Sequence, residues 1–247
     1  MNYQLSIVAI VNNKEKYKKS RKSLEIQAGK WSLDFIPVDA DKKGWNAATA
    51  LNYGIKKSKS DWVVCCHQDV VFPERWLEKF NNVIQSIPDD VVIIGLVGIM
   101  MNGRFTGHIR DPHGHKRWTP LPAFVNSIDE HLIIVRRNSG ILFDEGTPYF
   151  HCYGTDICMT AWKKSYQCIV VDLPVVHQSG GTLDEYFEIS SEWLLSKWGK
   201  DCDYIISTCA TLIYRINLKN LKKLFFIRLN RRISLNSKKI KCECNEV

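Results

Sequence analysis

The chain has 247 residues, 45% hydrophobic and 24% charged, an ordinary balance for a folded protein long enough to bury a large core. Its net charge of +8 is uneven: ten basic residues and no acidic one lie between positions 204 and 242, and subtracting those ten leaves the rest at −2. That excludes a body built for nucleic acid, and the longest apolar stretch, 91–101, is broken by two glycines and falls short of the ~18 residues a membrane-crossing helix needs.

In chain order, residues 5–11 read as a strand, too short and too lightly flanked for a signal-peptide core, so export is not expected. Residues 14–27 are charged and helical, 33–38 strand-like, 47–57 helical, and 62–66 a buried strand. Pro73 opens a helix over 73–87, and 91–97 reads as another buried strand. Such strand–helix alternation predicts an α/β fold with a mostly parallel sheet and helices on both faces. Residues 102–118, polar and rich in glycine and histidine, read as a long loop. One or two strands follow over 124–138, then a helix over 153–166 with Thr155 as its cap, a strand over 168–172 and a helix over 183–198 with Trp193 and Trp198 in the core. Cys65, Cys66 and Cys168 fall on core strands and no C-x-x-C pair exists. The nine cysteines therefore read as free thiols of a reducing cytosol. The tail, 204–247, carries an apolar stripe at Leu218, Leu221, Phe225, Leu229 and Ile233 among its basic residues. Residues 215–241 accordingly read as a basic amphipathic helix for an anionic membrane surface.

The chemistry concentrates where strands end. In "CCHQDVVF", residues 65–72, a buried strand breaks into His67-Gln68-Asp69, and Asp39 follows the preceding strand. Open α/β sheets collect ligands at the carboxyl ends of their strands. Taken alone, His67-Gln68-Asp69 could equally be a hydrogen-bonded turn. No G-x-x-x-x-G-K-[ST] loop and no G-x-G-x-x-G is present, which argues against P-loop and dinucleotide chemistry, and "VNNKEKY" after the first strand lacks the glycine-rich loop of a nucleotidyltransferase. A strand-end carboxylate can still anchor a diphosphate through a divalent cation.

The order "VDAD…AATALNYGIKKSKSDWVVCCHQDVVFPERWLEKF", followed by "SIDEHLIIVRRNSGILFDE" and "YFHCYGTDICMTAWKKSYQCIVVDLPVVHQSGGT", resembles the family 2-type nucleotide-sugar glycosyltransferases of the GT-A fold over roughly residues 4 to 198. The resemblance implies a GT-A domain over 1–203, with a nucleotide-binding half (1–100) and an acceptor-side half (101–203). It implies a UDP- or GDP-sugar donor, Mn²⁺ or Mg²⁺, and a glycan or lipid-linked acceptor at the cytoplasmic face of a membrane. By position, Asp39 would read the base, Asn52, in the helix that follows, would help bind the donor, and Asp129 would line the donor–acceptor cleft. Asp69 and His177 would hold the metal, and Asp156 would be the general base of an inverting transfer. His67 replaces the first aspartate of the family's Asp-x-Asp, so it would ligate or contact the donor; Mn²⁺ accepts imidazole better than Mg²⁺ does. His151 matches a position with no assigned role. A GT-A-like membrane-associated partner without activity and a nucleotidyltransferase are the alternatives.

Overall fold

The structure is a computed structural model describing residues 3–180, 184–200, 204–207, 211–218 and 221–228, with Tyr204, Ile206 and the last two segments described through their backbone alone. The elements of the first half are β1 (Tyr3–Ile10), α1 (Lys14–Glu25), β2 (Trp31–Val38), α2 (Ala40–Lys43), α3 (Ala47–Lys57), β3 (Trp62–His67), β4 (Val70–Val71), α4 (Trp76–Ser86), β5 (Val91–Gly95) and β6 (Val97–Ile99). There follow β7 (Phe105–Asp111), β8 (Gly114–Trp118), β9 (Ala123–Phe124), β10 (Ser127–Ile128), β11 (Leu132–Arg136), α5 (Tyr153–Lys163), β12 (Gln167–Val170), β13 (Val176–His177) and α6 (Glu185–Trp198). The described residues end with β14 (Tyr204–Ser207), β15 (Thr211–Leu218) and β16 (Leu221–Arg228).

The main sheet runs β2-β1-β3-β11-β5-β12-β9. It is mostly parallel; β11 runs against both of its neighbours and β9 against β12. Its central strands read as continuous apolar runs because both faces are covered. Side chains alternate between two core layers. Val8, Val63, Cys65, Ile93 and Ile133 pack with α3 and α5. Leu5, Ile7, Val64, Ile94 and Leu132 pack with Leu24 of α1 and with Trp76, Leu77 and Phe80 of α4. The expected helices on both faces are therefore present. Strands of the two halves interleave in this sheet, β11 lying between β3 and β5, so neither half has a core of its own.

A second sheet, β10-β6-β7-β13-β4 with β8 on β7, stands over the end of β3. It corrects the expected long loop over 102–118: β7 and β8 form an antiparallel hairpin. Polar alternation hid the strands, for His108 pairs with Asp172 at 2.6 Å and Lys116 with Asp111 at 3.1 Å, while Phe105 stacks on Trp118. Two helix starts also differ. Pro73 lies in a turn, and α4 starts after Arg75 in a left-handed conformation (φ 62°). Thr155 is not the cap of α5; Cys152 is (φ 66°), and the Thr155 hydroxyl instead meets that of Ser127 at 2.8 Å in the core.

The third sheet, β14-β15-β16, corrects the expected helical tail as far as it is described: 211–218 and 221–228 are strands in antiparallel register, Ile213 opposite Phe226 and Tyr214 opposite Phe225. These segments are rich in β-branched and aromatic residues, whose strand preference outweighs a stripe that helix spacing also fits. Residues 229–241 of that expectation lie outside the described residues. Ile205 packs with Phe187, Leu194, Leu195 and Trp198. Among the described residues no helix is long and apolar enough to cross a membrane. Cys65, Cys66, Cys152, Cys158 and Cys168 are free thiols, all buried.

The close approach of α3 to β1 depends on Gly54, where a Cβ would fall inside the fully buried Val8 side chain. Gly54→Ala is expected to destabilise the fold by ~1–3 kcal/mol, as overpacking a filled core does, read by urea denaturation. An unchanged midpoint would show that this helix rides further from the sheet.

Candidate active site

A cavity of about 330 Å³ opens at the carboxyl end of β1 and β3, lined among others by Asn12, Lys16, Asp41, His67, Asp69 and Glu130, with Phe150, Tyr153 and Ser179. Two donor groups, His67 and Asp69, line it, and His177 adjoins both. His67 ends β3; Asp69 follows one residue past Gln68; and β13 pairs antiparallel with β4 so that His177 stands opposite Val70. The Gln178 N–H donates to the Asp69 carbonyl at 3.1 Å, fixing that register. His67 Nδ1 lies 3.2 Å from His177 Nε2, and His177 Nε2 lies 3.4 Å from Asp69 Oδ1. One ligand atom from each of the three falls within 4.8 Å of the others.

The surroundings prepare these groups. Burial pushes the His67 imidazole down to about 4, helped by His177 and His131, so it is neutral with a lone pair available. Tyr153 donates its hydroxyl to the Glu130 carbonyl at 3.3 Å, leaving its oxygen to accept from His67 Nε2–H at 3.3 Å. That assigns the proton to Nε2 and turns the free Nδ1 toward His177 and Asp69. Burial pushes the Asp69 carboxyl up, but His177, Ser179 and Lys16 outweigh it and hold it well below the ordinary range. Lys16 Nζ reaches Asp69 Oδ2 at 3.3 Å, which sets a positive charge at the cavity wall. Two imidazole nitrogens and one carboxylate oxygen suit a transition-metal dication such as Mn²⁺; Mg²⁺ prefers an all-oxygen shell. The donor set therefore fits the expected cation, and fits Mn²⁺ better.

Gln68 accounts for the middle of the motif. Its side-chain oxygen accepts from the N–H groups of Asn12 and Asn13 at 3.0 and 2.7 Å, and its amide donates to Asn12 Oδ1 at 2.6 Å. This clamps the β1–α1 turn, and with it the first turn of α1 that carries Lys16, onto the end of β3.

The other expected residues are placed differently. Asp129 sits beside the cluster: His131 donates to its Oδ1 from Nδ1 at 2.6 Å, and the fully buried His131 ring stacks on His177. Asp39 follows β2 and caps α2, accepting from the Lys42 N–H at 3.1 Å; its neighbours Ala40 and Asp41 line the cavity. Asn52 is 2% exposed, and its amide group exchanges two hydrogen bonds with the Phe143 backbone, so it pins the 143–145 turn and does not face a donor. Asp156 is not brought to the cavity. It is 1% exposed, with Lys197 Nζ at 2.7 and 3.0 Å and Trp198 Nε1 at 2.7 Å, so α5 directs it at α6. Burial raises its carboxyl above the ordinary value against the pull of Lys197 and Trp198. His151 lies 3.2 Å from Asp184, the cap of α6, and ties the 149–152 turn to that helix.

Sequence reasoning passed over Lys16, Gln68, Glu130, His131, Tyr153 and Ser179. The signal for Lys16 and Gln68 was available: a lysine-bearing turn after the first strand faces whatever ends the third when the two strands are parallel neighbours.

Residues 9–144, more than half of the chain, match the family model described as Glycosyl transferase family 2. A Fuscovulum blasticum protein described as "ATP synthase subunits region ORF 6" is 23% identical over 224 residues, covering 83% of this chain and 88% of the relative. Among solved structures, the mannosyltransferase PcManGT from Pyrobaculum calidifontis, in complex with GDP-Man and Mn²⁺, is similar at 11% identity and a TM-score of 0.53 over 79% of this chain and 63% of that one. S. aureus TarS 1–349, in complex with UDP-GlcNAc, is similar at 10% identity and a TM-score of 0.51 over 78% of this chain and 66% of that one. The chain thus spans no more than about two thirds of either solved structure, and likeness at such identity speaks for the fold.

The Asp156 environment makes its own prediction. Lys197→Met leaves a buried carboxylate without its cation, and is expected to destabilise the fold by ~3 kcal/mol or more, as breaking a buried ion pair does. Urea denaturation reads it, and a loss below ~1 kcal/mol would mean that Asp156 is solvated.

Proposed function

The chain belongs to Glycosyl transferase family 2 and has the GT-A glycosyltransferase fold, and from that premise we propose a metal-dependent transfer of a sugar from a UDP- or GDP-linked donor to a hydroxyl acceptor, with inversion. The observation that carries this reading is the convergence of His67, Asp69 and His177, the first two lining a strand-end cavity together with Lys16. A bound dication there would neutralise charge on the departing diphosphate. Lys16 adds a protein cation on the same wall, Tyr153 orients His67, and Asp129 holds His131, whose ring stacks on His177. In this reading Asp39, which follows β2, contacts the base of the donor, and Asp41 of α2 lines the cavity beside it. The donor class also agrees with the GDP-Man and UDP-GlcNAc held by the two solved relatives.

An inverting displacement needs no protein nucleophile, only a proton acceptor for the incoming hydroxyl. Asp156, engaged with Lys197 and Trp198, lacks access to supply it. We place the acceptor in the glycan or lipid-linked class because ten basic residues cluster between 215 and 241, each adding ~1 kcal/mol near an anionic membrane surface. This reading puts the protein at the cytoplasmic face, as a peripheral enzyme of polysaccharide assembly.

Calorimetry with UDP and GDP should show binding that requires Mn²⁺ and is weaker with Mg²⁺. Asp69→Asn is expected to lower turnover of the matching nucleotide sugar by on the order of 10²–10³-fold, the several kcal/mol that a catalytic cation supplies. Metal-independent binding of both nucleotides would sink the metal assignment, and pyrophosphate release in place of nucleoside diphosphate would make the protein a nucleotidyltransferase. For the membrane, the full chain should float with phosphatidylglycerol vesicles and not with phosphatidylcholine alone; equal flotation removes the electrostatic role of the tail.

A further inference from the structure

Three carboxylic acids line the cavity: Asp41, Asp69 and Glu130. Asp69 belongs to the cation cluster and is held by Lys16 and His177. Asp41 is exposed on α2, beside the end of β2. Glu130 is placed otherwise. It lies just before β11, in the wall that the second half of the chain contributes together with Ile133, Phe150 and Tyr153, whereas the turn residues of the diphosphate side come from the first half.

Its position is built. Glu130 Oε1 accepts the Gly154 N–H at 3.1 Å, and its backbone carbonyl accepts the Tyr153 hydroxyl that orients His67. Residue 154 must be glycine for this, since a Cβ there would stand 2.5 Å from the Ile128 carbonyl oxygen and 2.9 Å from Glu130 Cγ. The first turn of α5 and the approach to β11 therefore close on each other, and Glu130 lines the cavity at that junction. Burial raises that carboxyl to about 8; the N–H groups of Gly154, Tyr153 and Cys152 pull it down and Asp129 pushes it up. A carboxyl balanced near neutrality is the kind that exchanges protons readily during catalysis.

We propose that Glu130 is the proton acceptor for the attacking hydroxyl, an assignment that rests on the transfer reaction proposed above. The hydroxyl oxygen bonds to the anomeric carbon of the donor. The bond from that carbon to the diphosphate oxygen breaks, and its electron pair leaves with the nucleoside diphosphate. The hydroxyl proton passes to a Glu130 carboxylate oxygen. With water as acceptor the same step releases free sugar, so it can be followed before the natural acceptor is known.

The assay is release of UDP or GDP from a panel of UDP- and GDP-sugars into water with saturating Mn²⁺. Glu130→Gln keeps an oxygen for the Gly154 N–H but cannot take a proton. Its kcat is expected to fall by ~10²–10⁴-fold, with the affinity for the nucleoside diphosphate and Mn²⁺ and the thermal midpoint unchanged. Glu130→Ala should lose as much and recover turnover when formate is added, a response that a merely structural residue would not give. If Glu130→Gln keeps kcat within roughly threefold, or Glu130→Ala ignores formate, the assignment falls while the transferase reading stands. If the wild type releases nothing from any donor and binds neither nucleotide, both fall together.

Discussion

Parallel strands deliver their carboxyl ends to one edge of a sheet, so β1, β2 and β3 by themselves would bring only Ile10, Val38 and His67 to a common lip. What makes a site there is two strands running the other way. β11 enters between β3 and β5 against both, so its beginning lies beside the end of β3, and the His67 N–H donates to the His131 carbonyl. β13 pairs antiparallel with the short β4, which sets His177 opposite Val70, next to Asp69. Both pairings are fixed by backbone hydrogen bonds, and a one-residue slip in either would turn the side chains to the opposite face. The cation cluster and the position of Glu130 just before β11 follow from those two registers, and α5 adds the orienting Tyr153.

This division explains how much the sequence could disclose. The parallel, two-sided core was legible because buried strands of such a sheet are apolar throughout, as in Trp62-Val63-Val64-Cys65-Cys66 and Val91-Val92-Ile93-Ile94. The strand-end positions of Asp39 and Asp69 followed from the alternation of strand and helix. His177 was reachable only through family likeness, since nothing local marks a two-residue strand. The β7–β8 hairpin was missed because its polar residues pair with one another and with Asp172, leaving no apolar alternation to read. The tail was misread for the converse reason: an apolar-rich stretch such as Leu224-Phe225-Phe226-Ile227 satisfies helix and strand spacing alike, and only pairing with β15 chooses.

The carboxylates show the same limit in sharper form. Asp156 stands on a helix after a glycine, in a stretch that resembles the base-bearing helix of the family, and its type and spacing carry no sign of engagement elsewhere. The partners that occupy it, Lys197 and Trp198, come from α6 some forty residues later. Glu130 gives the opposite case. Its neighbour Asp129 attracts attention as the better match, yet Asp129 is taken up by His131, and the close contact of Gly154 with Glu130 is what opens a place for the second carboxyl. Which acid faces the cavity is therefore decided by the docking of α5 and α6, a property of tertiary packing that residue order leaves undetermined.

Binding a cation to imidazole and carboxylate ordinarily displaces protons, so affinity depends on how far the protein has removed them beforehand. For His67 and Asp69 the removal is intrinsic to the fold. Burial keeps His67 neutral, and the Tyr153 hydroxyl fixes its remaining proton on the nitrogen that faces away from the cluster. Asp69 is held ionised by His177, Ser179 and Lys16 even though burial opposes it. Nitrogen lone pair and carboxylate charge are thus already displayed near neutral pH. Histidine in place of a first aspartate then has a physical reading: it lowers the negative charge that must be buried at the end of β3, and under the proposed function it makes the donor set better suited to Mn²⁺ than to Mg²⁺.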